Sequence, residues 1–66
     1  MEKVLVIGGS GFLGSHVADK LSDSGFEVSI FDIKPSKWIR DDQEFIEGSI
    51  LDSQSLHDAI GDKKYV

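Results

Sequence analysis

The chain has 66 residues, with 12 Asp and Glu against 7 Lys and Arg, a formal net charge of −5 and no cysteine. A chain this short forms one domain at most and buries only about 60% of its unfolded surface; without a disulfide or a clustered His ligand set to reinforce it, it is expected to be one part of a larger unit. The cations are scattered rather than gathered into a stripe, which argues against nucleic acid as a partner, and the lack of cysteine fits a reducing compartment.

Met1-Glu2-Lys3 leads into Val4-Leu5-Val6-Ile7. This apolar run is shorter than that of a signal peptide and far short of a membrane span, so a cytoplasmic protein without membrane contact is expected. The run has no alternation, which suits a strand covered on both faces, as in a parallel sheet under helices. From Leu13 the period changes: Leu13, Val17 and Leu21 recur on one face with Ala18 beside them, while His16, Asp19, Lys20 and Asp23 face away. This amphipathic helix ends near Ser24-Gly25, and Glu27 to Asp32 follows as a second strand carrying Val28, Ile30 and Phe31.

Ile33 to Gln43 is short for a parallel crossover and contains Pro35, which predicts a loop or one helical turn. Glu44 to Glu47 reads as a third strand stopped by Gly48. A second helix begins on Asp52 or Ser53, turns Leu56, Ala59 and Ile60 inward, and ends at Gly61. Lys63-Lys64-Tyr65-Val66 reads as the start of a fourth strand, cut off before it can form, which leaves the edge of the first strand open and predicts self-association. The fold class is therefore α/β: a partial Rossmann-type, doubly wound parallel sheet.

The chemistry is expected where the first strand meets the first helix, because a helix N-terminus presents unpaired N–H groups and a partial positive charge that suit a phosphate. Gly9-Ser10-Gly11-Phe12-Leu13-Gly14 satisfies G-x-G-x-x-G, and Gly8, Gly11 and Gly14 also satisfy a G-x-x-G-x-x-G spacing. An early glycine, Gly8 or Gly9, permits the tight turn, Gly11 lets backbone approach a pyrophosphate, and Gly14 allows close helix-to-strand packing. The phosphate loop of kinases and GTPases needs Gly-Lys-Ser/Thr, whereas Ser15-His16 follows Gly14 here. Asp32, at the end of the second strand, lies near the ~20-residue offset at which a carboxylate accepts from the adenosine ribose hydroxyls. A carboxylate there repels a 2′-phosphate and favours NAD over NADP, although Lys34 is close by. Either a solvated His16, His57 and Asp41-Asp42 or, for Trp38, cover over apolar sheet or a place at the adenine edge completes the reading.

With these motifs the chain resembles the extended short-chain dehydrogenases, the NAD-dependent epimerase/dehydratase family that acts on nucleotide sugars. Val4 to Val17 is similar to the family's opening strand, glycine turn and helix, and Phe31-Asp32-Ile33 to its ribose-binding strand end. Gly48-Ser49-Ile50-Leu51-Asp52 is similar to the segment Gly-Asp-Ile/Leu-x-Asp, whose first Asp and following residue contact adenine; Ser49 stands in place of that Asp and Ile50 keeps its position. The resemblance implies pyrophosphate contacts from the backbone of Phe12 and Leu13. It also implies a catalytic Ser or Thr with Tyr-x-x-x-Lys, which these residues do not contain, since Tyr65 is followed by Val66 alone. Residues 1–66 are thus expected to be an N-terminal piece of a dinucleotide-binding domain, with a nucleotide-sugar substrate met by the rest of an enzyme, or alternatively a piece of a non-catalytic dinucleotide sensor.

Overall fold

The computed structural model describes residues 2–66. Its elements are β1 (Lys3–Ile7), α1 (Phe12–Asp23), β2 (Glu27–Asp32), β3 (Gln43–Glu47), α2 (Ser53–Ile60) and β4 (Lys64–Tyr65). The four strands form one sheet in the order β3-β2-β1-β4, and every neighbouring pair is parallel. Val4 pairs with Val28 and Ile7 with Phe31, so β1 and β2 run in register to their carboxyl ends.

Alternation along the strands divides the core into two layers. On one face Val6, Val28 and Ile30 pack against Ala18 of α1, with Val17 and Leu21 beside it. On the other, Leu5 and Phe31 pack against Ala59 of α2, with Leu56 and Ile60 beside it. The largest fully buried side chains are Phe31, Leu5, Ile30 and Val28, all from the two central strands. Each contributes about 1.5–3 kcal/mol by leaving water, which exceeds the worth of any surface ion pair in the chain. The doubly wound, parallel architecture follows the sequence pattern, and the second strand is more uniformly buried than its partial alternation implies: Val28 through Phe31 are all inside.

Two expectations are corrected. Leu13, placed on the inward face with Val17 and Leu21, is 77% exposed. It stands in the first turn of a helix that begins at Phe12, beyond the carboxyl end of β1, so no sheet lies beneath it. The last residues are not too few to form a strand: Lys64 pairs with Val4 and Tyr65 with Leu5, while Ile7 N–H donates to Val66 O at 2.9 Å and Val66 N–H to Leu5 O at 2.9 Å. The edge of β1 is therefore paired, and the sheet's outer edge on this side belongs to β4.

The β2–β3 crossover contains turns and no helix, in keeping with Pro35. Polar contacts fasten it instead. Gln43, at the start of β3, donates to Asp19 Oδ1 (3.1 Å) and Ser22 Oγ (2.9 Å) of α1 and accepts from Arg40 N–H at 3.1 Å. The Arg40 guanidinium reaches Asp19 at 3.2 Å and Asp23 at 2.7 Å. On α2, Asp52 is the N-cap and accepts from both the amide (3.2 Å) and hydroxyl (2.9 Å) of Ser55. No helix among the described residues is long and apolar enough to cross a membrane, and no group of His, Cys, Asp and Glu there has the makings of a metal site.

Hydrogen bonding to Arg40 holds the Asp23 carboxyl below its ordinary value, and hydrogen bonds from Ser55 do the same for Asp52. A depressed folded-state value means stabilisation that is present above the unfolded carboxylate pKa, about 4, and lost as pH falls through the folded value. Urea melts between about pH 6 and 2.5 should therefore show stability falling in the acid range, with a shallower fall in Arg40→Met, where Asp23 loses its partner. An unchanged slope in that variant would remove Asp23 from the acid response.

Candidate cofactor site

The site lies at the carboxyl ends of β1, β2 and β3. After Ile7 the chain turns at Gly8, whose φ of 77° is left-handed backbone that glycine adopts without strain. Gly8 N–H donates to Phe31 O at 2.8 Å, which ties the turn to the end of β2. Gly11 is the N-cap of α1 with extended backbone, and the helical ladder opens with Ser15 N–H donating to Gly11 O at 2.8 Å. The amides of Phe12, Leu13 and Gly14 thus precede the first helical bond and are free to bind a ligand. No side chain caps this end, and no acidic residue stands in the first turn to neutralise its positive pole.

The glycines of the turn divide by what a Cβ would meet. At Gly14 it would fall on the Gly8 carbonyl oxygen and lie 2.8 Å from Gly9 Cα, so the helix can approach the turn only without a side chain there. At Gly9 it would lie 2.8 Å from a methyl of Ile30 in the α1-side core. At Gly11 its nearest neighbour is the Gly8 carbonyl oxygen at 3.9 Å, an ordinary contact. Nothing in the chain's own packing requires glycine at position 11.

Asp32, at the end of β2, is half-buried and turns its carboxylate to the glycine turn. Oδ2 accepts from Ser10 N–H at 3.2 Å and Oδ1 from Ile33 N–H at 2.7 Å. A carboxylate offers about four acceptor positions, so two remain for a ligand. Ser49 and Ile50 follow β3; Ser49 Oγ accepts from Leu51 N–H at 3.1 Å, and Ile50 is exposed. All eight expected site residues therefore gather at one end of the sheet.

Three adjoining clefts run along it. One of 460 Å³ lies over Phe31 between Gly8, Asp32, Gly48, Ser49 and Ile50 and is mostly apolar. A second, also 460 Å³, is bounded by Ser10, Gly11, Asp32, Lys34, Lys37 and Trp38. The third, 460 Å³, follows Gly8 and Gly11 to Phe12, Leu13, Gly14 and Val66. Gly8, Gly11 and Asp32 are the shared walls, so one extended ligand can thread all three.

Several features here were outside the sequence reading. A Cβ on Gly48 would come within 2.6 Å of the Phe31 ring, so this glycine sets the floor of the first cleft besides ending β3. The ring of Phe12, 66% exposed, meets His16 edge-on at 4.6 Å and Trp38 at 5.9 Å. Trp38 borders the second cleft together with Asp32 and does not line the first. His16 and His57 are exposed as expected. The glycine spacing includes Gly9 without showing its contact with Ile30, and no local signal marks the Phe31–Gly48 or Phe12–Trp38 contacts.

A parallel, doubly wound sheet whose first strand enters a helix through a glycine turn defines a Rossmann-type α/β protein. Comparison with known proteins then gives the family. The profile of the NAD dependent epimerase/dehydratase family matches residues 4–66, and the chain belongs to that family. It is 41% identical over 64 residues to the bifunctional UDP-glucose 4-epimerase and UDP-xylose 4-epimerase 1 of Pisum sativum, covering 92% of this chain and 18% of that protein. It is 37% identical over 59 residues to the decarboxylating sterol-4-alpha-carboxylate 3-dehydrogenase of Mus musculus, covering 89% of this chain and 16% of that one. The structure of UDP-glucose 4-epimerase from Brucella ovis in complex with NAD superposes with a TM-score of 0.82 at 34% identity, over 94% of this chain and 20% of the other. The chain thus spans a fifth or less of these relatives, which include sterol dehydrogenases as well as nucleotide-sugar enzymes.

The Cβ geometry separates two kinds of glycine. Gly14→Ala should lower stability by about 1–3 kcal/mol, the usual cost of overpacking, whereas Gly11→Ala should stay within about 1 kcal/mol of the parent. Urea denaturation of the two variants checks this, and equal losses would refute the division.

Proposed function

We propose that this chain holds the adenosine diphosphate half of NAD in an epimerase or dehydratase of nucleotide sugars. Gly11 carries the reading. It is a glycine that the packing of the described residues does not need, beside free helix amides with no acidic residue in the helix's first turn, and a phosphate approaching the backbone supplies the missing reason. The buried Ser10 Oγ, which has no partner among the described residues, adds a donor that a polar ligand would satisfy.

In this assignment Gly8 and Gly14 shape the turn, and the amides of Phe12 and Leu13 hold the pyrophosphate. Asp32 accepts from the ribose hydroxyls, while Ser49 and Ile50 border the adenine over Phe31. The bound nicotinamide would supply hydride transfer; these residues bind and orient. We place the protein in the cytoplasm. The sterol dehydrogenases among its relatives favour a second reading, oxidation of a sterol-type alcohol, in which the same residues hold the same half of the cofactor.

Calorimetric titration with NAD tests the assignment. Gly11→Val should abolish binding while leaving the circular dichroism unchanged. Asp32→Ala should weaken it about 10- to 100-fold, the worth of a lost hydrogen bond to a charged group. Full affinity in Gly11→Val would dismiss the turn as a phosphate site. We further expect copies of the chain to associate through the outer edge of β4 at high concentration, because unpaired edges recruit strands; a monomeric mass by light scattering refutes it.

A further inference from the structure

The crossover between β2 and β3 runs along one stripe of α1. Asp19 and Asp23 stand about two and three turns after Phe12 on that helix, so all three present the same face. The crossover meets each of them. The Trp38 ring lies edge-on to Phe12 at 5.9 Å, and the Arg40 guanidinium grips Asp19 through Nε at 3.2 Å and Asp23 through Nη1 at 2.7 Å. Between these contacts Ile39 packs against the α1-side core. Buried Gln43 closes the far end by donating to Asp19 Oδ1 and Ser22 Oγ.

This grip stands close to the clefts at the strand ends. Trp38 shares the wall of the second cleft with Ser10, Gly11 and Asp32. Only Ile39 separates it from Arg40, about 7 Å of chain at full extension, so slack at the guanidinium reaches the indole directly. Ile33, Lys34, Pro35 and Lys37 are exposed, and no helix stiffens the segment that carries them. An ordinary surface ion pair would fix little, but a planar fork across two carboxylates holds a direction as well as a distance.

Resting on the dinucleotide reading above, we infer that Arg40, Asp19 and Asp23 are positioning residues for the cofactor site. Their grip holds the Trp38 wall of the second cleft against the start of α1, and through that wall it sets the affinity for NAD.

The test compares Arg40→Lys, which keeps the charge and loses the fork, with Asp19→Ala/Asp23→Ala, which removes two negative charges. Each is followed by calorimetric titration with NAD and, without ligand, by acrylamide quenching of Trp38, the sole tryptophan. Both variants should keep the parent's circular dichroism, open Trp38 to quenching and weaken NAD about 2- to 30-fold. Charge alone predicts the opposite for the alanine pair, since an acidic chain with fewer carboxylates attracts an anionic dinucleotide more strongly. Tighter NAD in that pair, parental affinity in Arg40→Lys, or unchanged quenching in either overturns the inference while the dinucleotide reading stands. Loss of the fold in either variant also overturns it, because the grip then holds the whole domain together rather than one wall. No binding of NAD by the parent chain refutes the dinucleotide reading itself, and the positioning role with it.

Discussion

The site depends on the contact between Gly14 of α1 and the carbonyl of Gly8. Only a residue without Cβ lets the first turn of the helix come this close to the end of β1. That approach directs the free amides of Phe12 to Gly14 across the carboxyl ends of the strands, and it lowers Ala18 and Val17 onto Val6 and Ile30. One backbone contact therefore sets both the packing of the α1 layer and the aim of the helix pole. A bulkier residue would lift the helix, thinning the core and moving the donors away from the turn together.

The second layer is joined to the site in a different way. Phe31 is fully buried against Leu5 and Ala59, yet its ring edge also forms the floor of the apolar cleft beneath Gly48 and Ser49. Core packing and cleft shape are thus two sides of one ring. The crossover between β2 and β3 completes the arrangement without a helix, because Arg40 and Gln43 clamp it to the acidic and hydroxyl groups on the outer face of α1. Exposed ion pairs contribute little singly; here they share a planar guanidinium and a buried amide, which sets position more than energy.

Much of this was legible in the sequence, for identifiable reasons. The β-branched run at Val4 to Ile7, the Leu13–Leu21 periodicity and the glycines at 25 and 61 are local signals, and the elements they mark are present. The positions of the glycine turn and of Asp32 at strand ends were legible because glycine spacing and a carboxylate at a strand end are also local. What was not legible depends on distant chain meeting. Leu13 has the right period but projects beyond the sheet, which periodicity does not measure. The start of β4 read as a strand cut off before it could form, yet pairing with an already ordered β1 forms it. Gln43 looked like the end of a loop, and only the fold brings Asp19 and Ser22 to its amide. The bond from Ser10 N–H to Asp32 likewise joins two motifs that read separately as pyrophosphate and ribose determinants.

That last bond bears on how the site could be re-engineered. Cofactor preference in such folds is ordinarily altered at the acidic residue, but here the acidic side chain is also a clasp that keeps the glycine turn against β2. Exchanging it would slacken the turn while changing its charge, so the two effects would arrive confounded.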